Sequence, residues 1–118
     1  MSILIARRTP YSEQQPQIVD TILPTIVKNI DSLSTSTTKS VKWLVTIVTQ
    51  TTFKTVAYEI FATHRNGISP IFNRGPSIGD TVLRVDDVVI SGGSLILKIT
   101  NNEIETFSVN VLRLAVGL

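Results

Sequence analysis

The chain has no cysteine and only one histidine, His64, among its 118 residues. Without cysteine there can be no disulfide framework and no thiolate metal site. Synthesis in a reducing compartment is expected, although a cysteine-free chain suits any compartment. Charge of one sign is also scarce. Eleven Lys and Arg stand against nine Asp and Glu, a formal net charge of +2. The basic residues are scattered, and Arg7-Arg8 is their only adjacent pair. Phosphate binding needs a clustered basic surface, so nucleic acid is not an expected partner.

Long apolar runs are missing too. No stretch approaches the roughly 20 residues of a membrane span. The start, Met1-Ser2-Ile3-Leu4-Ile5 and then Arg7-Arg8, reverses the charge-first order of a secretory signal. The expectation is a soluble, unprocessed protein with no membrane partner. Hydrophobic residues nonetheless make up 42% of the chain, enough for a globular domain. Its length points to a single domain with a modest core.

The sequence changes character near residue 40. Residues 1–40 hold Pro10, Pro16 and Pro24 and end in the polar tract Ser34-Thr35-Ser36-Thr37-Thr38-Lys39-Ser40. Residues 41–118 are rich in Val, Ile, Thr and Leu, broken by Gly and Asn. This predicts an N-terminal arm, 1–40, and a compact β domain, 41–118. In the arm, Ile18, Val19, Ile22, Leu23, Ile26, Val27, Ile30 and Leu33 are apolar, most of them at helical spacing. Pro24 interrupts that run, so either a short helix begins at Pro24 and reaches about Leu33, or the arm is extended. These eight residues either cover the domain's own core or dock on a neighbouring subunit. The second is the expectation carried forward.

The remainder reads as strands. Residues 41–50 are β-branched and bounded by polar tracts. Residues 53–64 alternate, with Val56, Tyr58, Ile60 and Ala62 on one face and Thr55, Glu59, Phe61 and Thr63 on the other. Asn66-Gly67 and Gly92-Gly93 are turn dipeptides, because these residues tolerate positive φ. Residues 68–80 carry two prolines and two glycines and promise at most a short edge strand and a loop. Strands are expected over 81–90, 94–100 and 105–116, with a turn at Asn101-Asn102. Leu95, Leu97 and Ile99 share a face, as do Phe107, Val109 and Val111. Short strands at regular spacing predict an all-β fold, an antiparallel β-sandwich with a jelly-roll-like variant possible. The arm is extended or partly helical.

No set of residues assembles into a catalytic constellation. His64 sits at a strand end before a turn and reads as a hydrogen-bonded or solvated side chain. Asp86 and Asp87 would point to opposite faces of a strand, and Glu103 and Glu105 flank a turn where water would solvate them. Gly75-Pro76-Ser77-Ile78-Gly79 lacks the lysine and spacing of a phosphate loop. The expectation is therefore no enzyme, no cofactor and no metal. Glycan binding is the functional rival, because small sandwiches bind sugars through exposed aromatics. Of the seven aromatics, five fall in predicted strands where core packing is the default, leaving Tyr11 and Phe72 placed for exposure.

The stretch from Val41 to Val116 resembles a recurrent β domain of virion structural proteins in tailed bacteriophages, particularly those of cyanobacteria. The residues that carry the likeness are Lys42-Trp43-Leu44-Val45, the run Ala57 to Gly67, Ile78-Gly79-Asp80, Ser91 to Leu97, and Val109-Asn110-Val111-Leu112-Arg113. Tyr58-Glu59-Ile60 followed by His64 and a glycine turn is the most specific part. The family's turn commonly begins His-Asp-Gly, whereas His64-Arg65-Asn66-Gly67 is one residue longer. The likeness covers about two-thirds of the chain and leaves out the arm. It implies a structural role in a virion as a capsid decoration or a neck, tail or fibre component. The implied partners are copies of the same chain, with a trimer as first expectation, and other virion proteins.

Overall fold

A computed structural model describes residues 17–117. Eight strands account for most of them: β1 (Gln17–Ile22), β2 (Val27–Ser34), β3 (Thr38–Thr49), β4 (Thr55–Arg65), β5 (Ser69–Gly79), β6 (Arg84–Ser91), β7 (Ser94–Asn101) and β8 (Phe107–Gly117). They form a five-stranded sheet in the order β1-β8-β3-β4-β5 and a three-stranded sheet in the order β2-β7-β6, with every neighbouring pair antiparallel. The fold is all-β, an antiparallel sandwich, and no helix occurs among the described residues.

Period-two alternation builds the core. Val41, Trp43, Val45 and Ile47 of β3 point inward beside Val56, Tyr58, Ile60 and Ala62 of β4 and Phe107, Val109 and Val111 of β8. Leu95, Leu97 and Ile99 of β7 and Val88 of β6 face them from the smaller sheet. Each such side chain withdrawn from water contributes about 1.5–3 kcal/mol against the entropy of ordering the chain. Two short turns set the register as read from the sequence. Asn66 and Gly67 have φ of 52° and 70°, and Gly92 and Gly93 have 58° and 76°. The second pair closes a two-residue hairpin between β6 and β7.

Four expectations need correction. The arm does not stand apart up to residue 40: β1 pairs with β8, and β2 pairs with β7. Residues 17–40 are thus parts of the sandwich, and residues 1–16 of the expected arm lie outside the described ones. No helix starts at Pro24. It sits in the turn between β1 and β2, where Thr25 takes a φ of 63°. The helical spacing misled because apolar residues here occupy both faces of two short strands. The segment 68–80 is no loop either: β5 runs eleven residues and pairs with β4 along its length. Its prolines are tolerated because β5 is an edge strand with only one hydrogen-bonding neighbour. Lastly, Asn101 is not a turn residue. It ends β7 fully buried, donating from Nδ2 to the carbonyls of Ile22 at 2.9 Å and Glu105 at 2.7 Å.

Candidate functional site

The eight apolar residues expected to form an arm interface divide in two. Ile22 and Ile30 are buried in the protein's own core, and Ile18 and Leu33 pack against it. Val19, Leu23, Ile26 and Val27 remain exposed. The strand geometry explains the split. Ile18 and Ile22 stand opposite Val111 and Phe107 on the inner face, so Val19 between them must face outward.

A larger apolar surface lies on the outer face of the five-stranded sheet. Leu44 stands opposite Leu112, Lys42 lies between Phe61 and Leu114, and Ser40 lies between Thr63 and Val116. Ile71 on β5 adjoins Thr63 and extends the row to the sheet edge. Leu44, Phe61, Ile71, Leu114 and Val116 are all exposed, Phe61 by 55%. The Lys42 ammonium sits 5.4 Å from the centre of the Phe61 ring and 3.5 Å from Glu59 Oε2. A shallow cleft of about 320 Å³ beside Phe61 is walled by Ala62, Thr63, Ile71 and Phe72. Phe61 and Phe53 are thus exposed aromatics that sequence reading assigned to packing, while Phe72 is exposed as expected. Tyr11 lies outside the described residues. A second set of exposed apolar side chains caps one end of the sandwich. Leu23, Phe53, Leu83 and Ile104 sit in the four connections that the antiparallel order brings to that end.

Two polar clusters tie the sheets together from inside. In the first, Asp31 of β2 accepts from Trp43 Nε1 at 2.9 Å and from Arg113 at 3.1 and 3.2 Å. In the second, the Tyr58 hydroxyl donates to Asp86 Oδ1, while Arg84 Nε at 3.1 Å and Arg74 Nη1 at 3.5 Å reach Oδ2. The Arg84 guanidinium lies 3.9 Å from the centre of the Tyr58 ring. Burial, reinforced by the neighbouring Asp86 carboxylate, drives the Tyr58 phenol well above its ordinary value, so it stays a neutral donor. Asp86 points inward and Asp87 outward, as strand geometry requires. Over this cluster opens a polar cleft of about 390 Å³ between β5 and β6, lined by Tyr58, Asn73, Arg74, Gly75, Ser77 and Arg84.

His64 has both ring nitrogens engaged. Nδ1 accepts from the Gly67 N–H at 2.8 Å, and Nε2 lies 2.6 Å from the Thr38 carbonyl, which fixes Nε2 as the protonated nitrogen. It fastens the β4–β5 turn to β3. The two glutamates expected to be solvated are both engaged. Glu103 is buried, bonded to the Leu83 N–H at 2.7 Å and to Lys54 at 2.8 Å. Glu105 accepts from the Thr51 and Thr52 amides and the Thr52 hydroxyl. The bonds from Thr52, side chain first, hold its carboxyl down to about 2. Among the described residues, no group of three or more His, Cys, Asp or Glu side chains converges as a metal site would require.

No family model matches the chain, and no curated protein matches its sequence. Among solved structures, it is similar to the tailspike protein of the Acinetobacter phage vB_ApiP_P1, with a TM-score of 0.60 and 14% identity. That match covers 94% of this chain and 23% of the tailspike. The tailspike protein of the Acinetobacter baumannii phage AM24 aligns over 91% of this chain and 27% of its own length, with a TM-score of 0.47 and 6% identity. The chain therefore spans about a quarter of the length of these tailspikes. At such identity the first match is a likeness of fold: the same sandwich recurs as one part of a larger phage protein.

Proposed function

We propose that this chain is a structural module of a bacteriophage virion, set in the tail or its host-adhesion apparatus, and that it works by assembling with copies of itself. The observation that carries the reading is the apolar outer face of the five-stranded sheet. Leu44, Phe61, Ile71, Leu114 and Val116 are exposed there on four neighbouring strands, with Lys42, Ser40 and Thr63 set between them. Exposed apolar side chains gathered on one face among polar neighbours mark association surfaces on soluble proteins. The occupant is a second copy of the same face or its neighbour in a closed ring, and a trimer is the first expectation. The capped end with Leu23, Phe53, Leu83 and Ile104 is left for other virion proteins. The fold likeness to part of a phage tailspike supports the setting. A capsid-decoration role is a finer version of the same reading with no separate observation behind it.

The test replaces Leu44 and Phe61 together with glutamate. Both point away from the core, so the variant should fold, melt near the wild-type temperature and run as a monomer in light scattering. A variant that keeps the wild-type mass places the interface elsewhere and overturns this assignment.

A second reading, a glycan-binding module, is favoured by the polar cleft between β5 and β6. Its lining offers hydroxyl, amide and guanidinium groups and no catalytic pair.

A further inference from the structure

The Tyr58–Asp86 cluster leaves its charges unbalanced. Two guanidinium groups, from Arg74 and Arg84, converge on one carboxylate, that of Asp86. Asp86 is satisfied without Arg74, because it already accepts from Tyr58 and from Arg84 Nε. Arg84 is largely buried, stacked on the Tyr58 ring, and its Nη1 donates to the Val82 carbonyl at 3.2 Å. Arg74 is different. Its side chain is 55% exposed, and among the described residues its guanidinium makes one contact, at the long distance of 3.5 Å. Glu59 of β4 lies on the outer face and pairs with Lys42 instead. One positive charge is thus left over, held on a fork whose remaining N–H groups face a polar cleft of about 390 Å³.

We propose that this cleft binds a carboxylate-bearing sugar, with Arg74 as the residue that receives the carboxylate. The site deepens the glycan reading and rests on it, while leaving the assembly reading untouched. A planar guanidinium meets a carboxylate through two parallel N–H···O bonds. A single surplus charge matches one carboxylate better than a phosphate dianion. Asn73 and Ser77 line the same cleft and suit sugar hydroxyls. The lining offers no apolar wall for an acyl or aromatic body. The Tyr58 ring, which would otherwise supply a stacking face, is covered by Arg84. Asp86 and Arg84 position the site: they hold β6 against β4 at the cleft floor, and Asp86 draws Arg74 toward it.

The test is an NMR titration of the isotope-labelled chain with glucuronic acid, a neutral methyl glucoside and inorganic phosphate in turn. Glucuronic acid should shift the amides of Asn73, Arg74, Gly75, Ser77 and Arg84 with weak affinity. The methyl glucoside should bind at least tenfold more weakly, and Arg74→Gln should lower glucuronate affinity at least tenfold with the rest of the spectrum unchanged. Should Arg74→Gln disturb the fold, Ser77→Ala provides the second variant and should weaken binding several-fold. Equal binding of the neutral sugar at this cleft would leave the glycan reading standing and overturn the role of charge. Phosphate binding as tightly as glucuronate would make this a general anion site and overturn the sugar assignment. No shift with either sugar overturns both the inference and the glycan reading.

Discussion

Gly79 shows how one residue can be fixed by backbone alone. Its φ is +111°, and a Cβ added there would collide with the Thr55 carbonyl oxygen. Gly79→Ala should therefore cost about 2–3 kcal/mol, read as a fall in the urea midpoint at unchanged slope. Asp31 is fixed by its partners. Asp31→Ala strands the Arg113 guanidinium and the indole N–H of buried Trp43, and should cost roughly 2–4 kcal/mol in the same measurement. Acid is expected to weaken the fold through three carboxyls. Glu105 is held down to about 2 by Thr52, while Glu103, through the Leu83 amide, and Asp20, through Lys28, are lowered as well. A carboxyl lowered in the folded state favours folding above its unfolded value, and that contribution is lost as pH falls through the folded one. Stability should thus hold near neutrality and decline from the ordinary carboxylate range toward about 2. Denaturation curves against pH check this, and Glu105→Gln should flatten the decline. None of these partners was legible in the chain order. Glu103 and Lys54 are 49 residues apart, and the pattern around Glu103 reads as a wet turn.

At the scale of strands, what could be read was what repeats every second residue. The inward faces of β3, β4, β7 and β8 followed from alternation, because each packs one face on the core and shows the other to water. Only a short edge strand is legible for β5, and not its full length, because β5 is exposed along its length, so no alternation marks it, and Pro70 and Pro76 argue for a loop. Those same prolines remove N–H donors from a free edge and blunt it against strand addition. β1 and β2 were missed because each shows apolar residues on both faces, which at short length mimics helical spacing. Their place in the sheets has a consequence for truncation. Removing residues 1–33 deletes Ile22 and Ile30 from the core and uncovers the edge of β8. The truncated chain should lose its cooperative thermal transition by circular dichroism. A truncated chain that melted like the full one would mean that β1 and β2 only decorate the sandwich.

For the molecule as a whole, the two sides of the larger sheet do different work. The inner side holds the fold, with both polar clusters pinning one sheet to the other. The outer side has little to do in a monomer, yet it carries Leu44, Phe61 and Leu114 where a solvated sheet would carry polar residues. The sandwich class was legible from regular strand spacing. The outer apolar row was not, because Leu44, Phe61 and Leu114 come from three strands and join only through register. A chain that keeps such a face exposed is expected to cover it with a copy of itself.

The most direct measurement is the mass of the intact chain in solution, by sedimentation velocity over a dilution series. One defined homo-oligomer, a trimer first, is the expected result. A single monomeric species at every concentration would contradict assembly through that face.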